Sequence, residues 1–203
     1  MAPVVALSTW VPVGAADDPE QLSGLSHFLE HMLFRDEAGV GAGLTLAVQR
    51  AGGYLNASTG YDHTTFYQIV PSESWQSIFE AQAKVLGAPS FRVGDIESER
   101  AVIQDELSLA EGDPSVLCWR HLMKGAFEGS PYGRPVAGTS DALARIGLSE
   151  LVGHYREHYR PDQKVCVIVG DVDADDVIDK AGRILAPDRR GAAARAVAAS
   201  RAR

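Results

Sequence analysis

Gly24-Leu25-Ser26-His27-Phe28-Leu29-Glu30-His31-Met32 is the stretch on which the reading of this chain turns. His27 and His31 are four residues apart, which on a helix puts them on one face, one turn above each other. Glu30, three residues on from His27, projects towards that face as well. Leu25, Phe28, Leu29 and Met32 recur at i, i+3, i+4 and i+7 and form an apolar stripe on the other side. The spacing predicts a helix with one face to bury and one face able to hold a metal with a carboxylate beside it. The pattern is H-x-x-E-H, the reverse of the commoner H-E-x-x-H zinc helix.

A catalytic zinc usually takes three protein ligands and keeps its fourth position for water. Two histidines therefore need a third donor from elsewhere, and the segment Glu97-Ser98-Glu99-Arg100-Ala101-Val102-Ile103-Gln104-Asp105-Glu106 reads as a helix that offers one. Glu99 and Glu106 are separated by close to two helical turns, so both carboxylates fall on one face, roughly 10 Å apart along the axis. One of them can reach a metal held by the first helix, and the other would support it from behind. Glu97 and Asp105 read as a solvated acidic face.

Around these two helices the composition is that of a globular protein. The 203 residues are 45% apolar and 23% charged, which suffices for a sizeable core in one large domain or two small ones. No run of 18 apolar residues encodes a membrane span. Met1-Ala2-Pro3-Val4-Val5 does not open an export signal, so the expectation for the chain as given is cytoplasmic, although a longer parent could be exported. A net charge of −8 argues against a nucleic-acid partner. Arg189, Arg190, Arg195, Arg201 and Arg203 crowd the end with no acid among them, and without them 14 basic face 27 acidic side chains. The Ala/Arg-rich segment 187–203 is expected to be a linker or a frayed end. Cys118 and Cys166 lack metal spacing. Cys166, inside Val165-Cys166-Val167-Ile168-Val169, reads as a small buried hydrophobe, and a disulfide between the two stays open.

Taken in order, Val4 to Val13 reads as a strand with Pro12 near its end, and a loop leads to the site helix, which runs to about Arg35. A helix over Leu44 to Ala51 stops at Gly52-Gly53. Tyr54 to Thr59 and Thr64 to Val70 read as neighbouring antiparallel strands around Gly60-Tyr61-Asp62. Helices follow over Ser72 to Leu86, with Ser72 as cap, over Val93 to Ala110 and over Pro114 to Phe127. Residues 129–135 are loop, Leu148 to Tyr159 is helical, Lys164 to Gly170 is a strand, and Asp173 caps a last helix to Leu185. The order predicts an α+β domain in which a mostly antiparallel sheet packs with helices. Of the remaining histidines, His63, His121, His154 and His158, only the last two have i, i+4 spacing. They have no adjacent acid at the site-forming position and lie on a surface-like helix, so no second metal is expected.

These motifs in this order resemble the pitrilysin–insulinase family of inverted zinc metallopeptidases, in particular the branch with mitochondrial processing peptidase. Its members carry G-L-x-H-F-x-E-H near the start, here Gly24 to His31, and a glutamate helix about 75 residues later, here Glu99, Val102 or Ile103, and Glu106. Between them lies G-G-x-x-N-A-x-T, an edge strand against which substrate lies, here Gly52 to Thr59. Pro131-Tyr132-Gly133-Arg134-Pro135-Val136-Ala137-Gly138, Tyr159-Arg160-Pro161-Asp162 and Val169-Gly170-Asp171 are similar to further landmarks, so the resemblance covers about residues 3 to 186. It implies a catalytic domain over residues 1–186 with the metallohydrolase fold of the processing-peptidase type. It also implies one zinc ion per chain held by His27, His31 and Glu106, with Glu30 as the base that activates water and Glu99 behind a ligand. Asn56, Ala57 and Ser58 would offer an extended peptide substrate a strand to pair with.

The chain departs from the family pattern in two ways. The family's first strand, with its L-x-N-G-L stretch, has no counterpart before Val4, and no match follows Gly170 to the arginine–tyrosine pair that the family's second, similar domain or a partner subunit supplies. The chain is therefore expected to be a catalytic N-terminal half, as a fragment, a split gene product or one subunit of a larger assembly, that works with a C-terminal homologous domain, a partner subunit or a further copy of itself. The rival expectation is a non-catalytic scaffold subunit of the same family, against which His27, Glu30, His31 and Glu106 all stand intact.

Overall fold

The computed structural model describes residues 2–34 and 40–185. Its centre is strand β1, Val4–Val11, in which Val5, Leu7, Thr9 and Val11 are buried while Val4, Ala6 and Trp10 face out. This two-residue alternation fixes which face of the sheet is the core. β2 (Tyr54–Thr59) pairs with β3 (Thr64–Pro71), β3 with β1, and β1 with β4 (Val165–Gly170), all antiparallel, in the order β2-β3-β1-β4. β2 and β4 are therefore the two edges.

Helices cover the inner face. α1 (Leu25–Phe34), α2 (Val40–Arg50) and α3 (Trp75–Gly87) lie closest to the sheet. α4 (Val93–Glu111) packs on α1 and carries α5 (Pro114–Ala126). α6 (Ser140–Leu143) and α7 (Leu148–His158) return the chain to β4, and α8 (Ala174–Leu185) lies on α3. One core joins sheet and helices through Leu7, Phe28, Leu29, Phe66, Phe79 and Ile103. The expected apolar stripe of α1, Leu25, Phe28, Leu29 and Met32, is buried in it.

The α+β architecture is as expected, and the sheet is antiparallel throughout the described residues. Most differences lie at element ends. α2 begins at Val40 rather than Leu44, through Gly41 and Gly43, whose low helix propensity hides the start. Ser72 does not cap α3. Its N–H bonds to Pro3 O (3.0 Å), which keeps it at the end of the sheet, and α3 starts at Trp75 after a 3-10 turn over Ser72–Ser74. Asp173 does accept the N–H of Asp176 (3.0 Å), as a cap should. Both cysteines are free, Cys118 exposed and Cys166 only half-buried, 3.5 Å from Thr9 Oγ1. The 187–203 segment and Arg35 lie outside the described residues.

Candidate active site

α1 presents the two histidines because its first turn is anchored from outside. The Asp18 carboxylate, in the loop before it, accepts the N–H of Gly24 (2.8 Å) and of Ser26 (3.0 Å) and the Ser26 hydroxyl (2.7 Å). These bonds satisfy donors that the start of a helix leaves free. Burial pushes the Asp18 carboxyl up to about 6, against the Ser26 and Gly24 hydrogen bonds and the charge of Arg134. His154 Nε2 lies 2.9 Å from Ser26 Oγ. The Ser26 hydroxyl proton has Oδ1 of the Asp18 carboxylate and Gly14 O (3.1 Å) as its acceptors, neither of which can donate in its place, so the hydrogen-bond pattern assigns Nε2–H of His154 as the donor to Ser26 Oγ. His154 is thus buried under the site helix, not on the surface as its helix suggested, and burial, helped by His158, brings it down to about 4. This Asp–Ser–His cluster is sealed, with Ser26 fully buried, so it is an anchor and not a nucleophile.

From the anchored helix the imidazoles of His27 and His31 project side by side, centroids 4.6 Å apart. α4 brings both glutamates to them and places them differently. Glu99 Oε1 is 2.8 Å from His31 Nδ1, whereas Glu106 Oε2 is 3.6 Å from His31 Nε2 and 3.8 Å from His27 Nε2. The Glu99 side chain is 7% exposed and that of Glu106 48%. One carboxylate is therefore tucked behind a histidine and the other faces the ring nitrogens from the open side. One donor atom each from His27, His31 and Glu106 lies within 4.8 Å of the others, the single such group among the described residues.

The donor set fits a zinc ion. Two imidazoles and a carboxylate are a known catalytic combination, and a tetrahedral zinc holds its donors roughly 3.4 Å apart. Glu99 accepting from Nδ1–H of His31 leaves the Nε2 lone pair pointing at Glu106, the usual arrangement behind a metal-bound histidine. His27 is brought down to about 4 by burial and by His31, so its ring is neutral; its Nδ1 is buried without a hydrogen-bond partner. Burial pulls His31 down too, but the hydrogen bond to Glu99 and the charges of Glu106, Glu99 and Glu30 together leave it raised. Three carboxylates around two imidazoles make a pocket of surplus negative charge, which favours a cation.

Glu30 adjoins this group without being one of the three donors. Its Oε2 accepts the Thr59 hydroxyl at 2.5 Å. Burial raises its pKa, opposed by the Thr59 bond and by His31. All these residues line a cleft of about 750 Å³ whose opposite wall is β2 from Leu55 to Thr59, with Phe34, Thr45, Val136 and Ala137 completing it. β2 is the edge strand beside this cleft, so Asn56, Ala57 and Ser58 sit where an extended chain could be added. The Ala57 N–H is engaged by Asn56 Oδ1 (2.9 Å), a bond not evident from the sequence. Thr59, Asp18, Ser26 and His154 escaped the sequence reading as well. Thr59 closes the edge-strand stretch and was the one with a positional signal.

The Pro131–Gly138 stretch gains a physical meaning here. Gly24 (φ +96°) and Gly138 (φ +76°) meet backbone to backbone, and a Cβ on Gly138 would lie 2.0 Å from Ser23 O. Only glycine permits the contact by which this loop buttresses the entry to α1.

An antiparallel sheet roofed by an H-x-x-E-H helix and a facing glutamate helix defines a domain of the inverted-motif metallopeptidase class. The chain belongs to the insulinase family, peptidase family M16, whose model matches residues 1–140. An uncharacterized zinc protease of Mycobacterium leprae is 30% identical over 174 residues, covering 85% of this chain and 39% of that protein. A probable mitochondrial-processing peptidase subunit beta of Arabidopsis thaliana is 28% identical over 185 residues, 90% of this chain and 35% of the other. In fold, the chain is similar to a protease from Helicobacter pylori (TM-score 0.85, 23% identity, 90% of this chain and 45% of that one). It is also similar to a peptidase M16 inactive domain from Pseudomonas fluorescens (TM-score 0.79, 19% identity, 91% and 45%). The chain thus spans about two fifths of the length of these curated relatives.

Proposed function

We propose that this chain is the catalytic half of a zinc-dependent endopeptidase that hydrolyses peptide bonds in extended oligopeptides or processing segments. The observation that carries the reading is that Nε2 of His27 and Nε2 of His31 both face Glu106 Oε2, with Glu30 on the same cleft. His27, His31 and Glu106 would hold one zinc per chain. When bound, zinc supplies a Lewis acid for the scissile carbonyl and lowers the pKa of water to about 7. The Glu30 carboxylate takes the proton of the attacking water and returns it to the leaving amine. Its burial strengthens its hold on that proton. Glu99 keeps the His31 ring turned. The open edge of β2 at Asn56, Ala57 and Ser58 takes the peptide as an added strand, and the bond from Ala57 N–H to Asn56 is exchanged for one to the peptide. A homologous C-terminal domain or partner subunit, or a second copy, closes the cleft from the far side.

The test is zinc content and affinity of the purified chain. Wild type should bind about one zinc, and His27→Ala, His31→Ala and Glu106→Ala should each weaken binding by about 100-fold or more. Glu30→Gln should bind zinc like wild type and lose hydrolysis when a homologous C-terminal half is supplied. Zinc retained in Glu106→Ala and lost in Glu99→Ala would interchange the two glutamates. A wild-type chain that takes up no zinc would leave a non-catalytic subunit of the same family as the function.

A further inference from the structure

Thr59 ends β2, and its hydroxyl is the one hydrogen-bond partner of the Glu30 carboxylate among the described residues, at 2.5 Å. The corner on which Thr59 sits is fixed from several sides. The N–H of Gly60 bonds to His63 O (2.8 Å), and the N–H groups of Ala15 and Ala16 bond to Gly60 O (3.0 Å) and Tyr61 O (2.9 Å). Gly14 lies so close to this turn that a Cβ there would stand 2.5 Å from Tyr61 O. The Tyr61 hydroxyl donates to Arg134 O (3.2 Å), tying the corner to the loop that buttresses α1. Thr64, opposite Thr59 in the ladder, donates to Val13 O (2.9 Å).

A glutamate has three rotatable side-chain bonds, and an unanchored one spreads over several rotamers. With Oε2 held by a hydroxyl on a rigid corner, Oε1 is the oxygen left to work in the cleft. We propose that Thr59 is a positioning residue for Glu30, setting the base from the same strand that receives the peptide. Substrate strand and base are then held in one register by one element. The proposal rests on the peptidase reading above. Its physical logic is that a catalytic group misplaced by about 1 Å can lose roughly 10²-fold in rate, so the base benefits from a fixed anchor more than a surface glutamate would.

The experiment uses the full chain loaded with zinc and measures calorimetrically the affinity of a peptide hydroxamate, a metal-chelating probe whose acidic proton is placed to reach the base. Zinc content and the urea unfolding midpoint are recorded for every variant. Thr59→Val, a good strand former, should keep zinc and fold and lose about 10-fold in hydroxamate affinity. Thr59→Ser should restore it. Glu30→Gln should weaken the probe comparably, and adding Thr59→Val to Glu30→Gln should cost nothing more, because Thr59 acts through Glu30. Thr59→Val binding the probe like wild type while Glu30→Gln does not, or the two losses simply adding, would overturn the positioning role. Loss of zinc in Thr59→Val would overturn it too, by showing a structural role. Wild type without zinc, or a probe indifferent to Glu30→Gln, would overturn the peptidase reading and this proposal with it.

Discussion

Asp18 and His154 meet at Ser26, one residue before the first histidine of the motif, and their shifts run in opposite directions, from which we expect the anchor of α1 to respond weakly to mild acid. Folded Asp18 has a pKa of about 6 against an ordinary 3.8, so between these values it keeps a proton that the unfolded chain has lost. Its contribution is full below about pH 4 and is lost as pH rises through 6. Folded His154 has a pKa of about 4 against an ordinary 6.5, so it lacks a proton that the unfolded chain holds. Its contribution is full above 6.5 and is lost as pH falls through 4. Each amounts to about 3 kcal/mol at its limit, with opposite sign over nearly the same window. We expect urea unfolding of the metal-free chain to show this on substitution. Relative to wild type, His154→Gln should lose stability as pH rises from 4 to 6, and Asp18→Asn should gain it. Differences from wild type that do not change with pH would refute the cancellation. None of this cluster was legible beforehand, because His154 is 128 residues from Ser26 and a lone histidine on an amphipathic helix carries no mark of burial.

At the scale of elements, local periodicity was readable and registration between elements was not. The i, i+4 histidines, the apolar stripe of α1 and the two-turn spacing of Glu99 and Glu106 follow from 3.6 residues per turn. Spacing alone left open which glutamate faces the ring nitrogens, because that depends on how far α4 slides along α1. In the structure it is settled by Glu99 reaching Nδ1 of His31 and Glu106 facing both Nε2 atoms. The strand pair β2–β3 was legible from alternation and its Gly60-Tyr61-Asp62 turn, whereas α6 was not, being a four-residue helix inside a loop. The buttress between Gly138 and Gly24 can be tested at this scale. Gly138→Ala places a Cβ 2.0 Å from Ser23 O at a φ of +76° and should destabilise the chain by more than about 1 kcal/mol. It should also weaken zinc binding, since α1 enters from that contact. Gly125→Ala, in α5 with nothing within 4 Å of the new Cβ, should be neutral or stabilise by about 0.5 kcal/mol. Equal behaviour of the two variants in thermal unfolding would remove the buttress from the account.

For the whole molecule, the unevenness of its surface sets the expectation. One face of the sheet carries helices, while the other exposes Val4, Trp10, Tyr54, Ile69, Val165, Val167 and Val169 to solvent side by side, the kind of grouping that favours contact with another surface. The cleft is open too. On the proposed reading α1, α4 and β2 supply the donors, the base and one strand to pair with, while the Glu106 side chain stays half-exposed. A peptide held on one side is poorly positioned, and a carbonyl oxygen with no donor aimed at it from the far side forgoes an electrostatic contribution typically worth about 10²–10³ in turnover. We therefore expect the 203-residue chain to bind zinc but cleave a quenched fluorescent peptide slowly. Adding a homologous C-terminal half in trans should raise the rate by about 10²-fold or more. Sedimentation of the chain alone should show concentration-dependent self-association through the uncovered apolar surface. Rapid cleavage by a demonstrable monomer, unchanged by the added half, would mean that the groups on α1, α4 and β2 suffice, and that the open side of the cleft needs no closing.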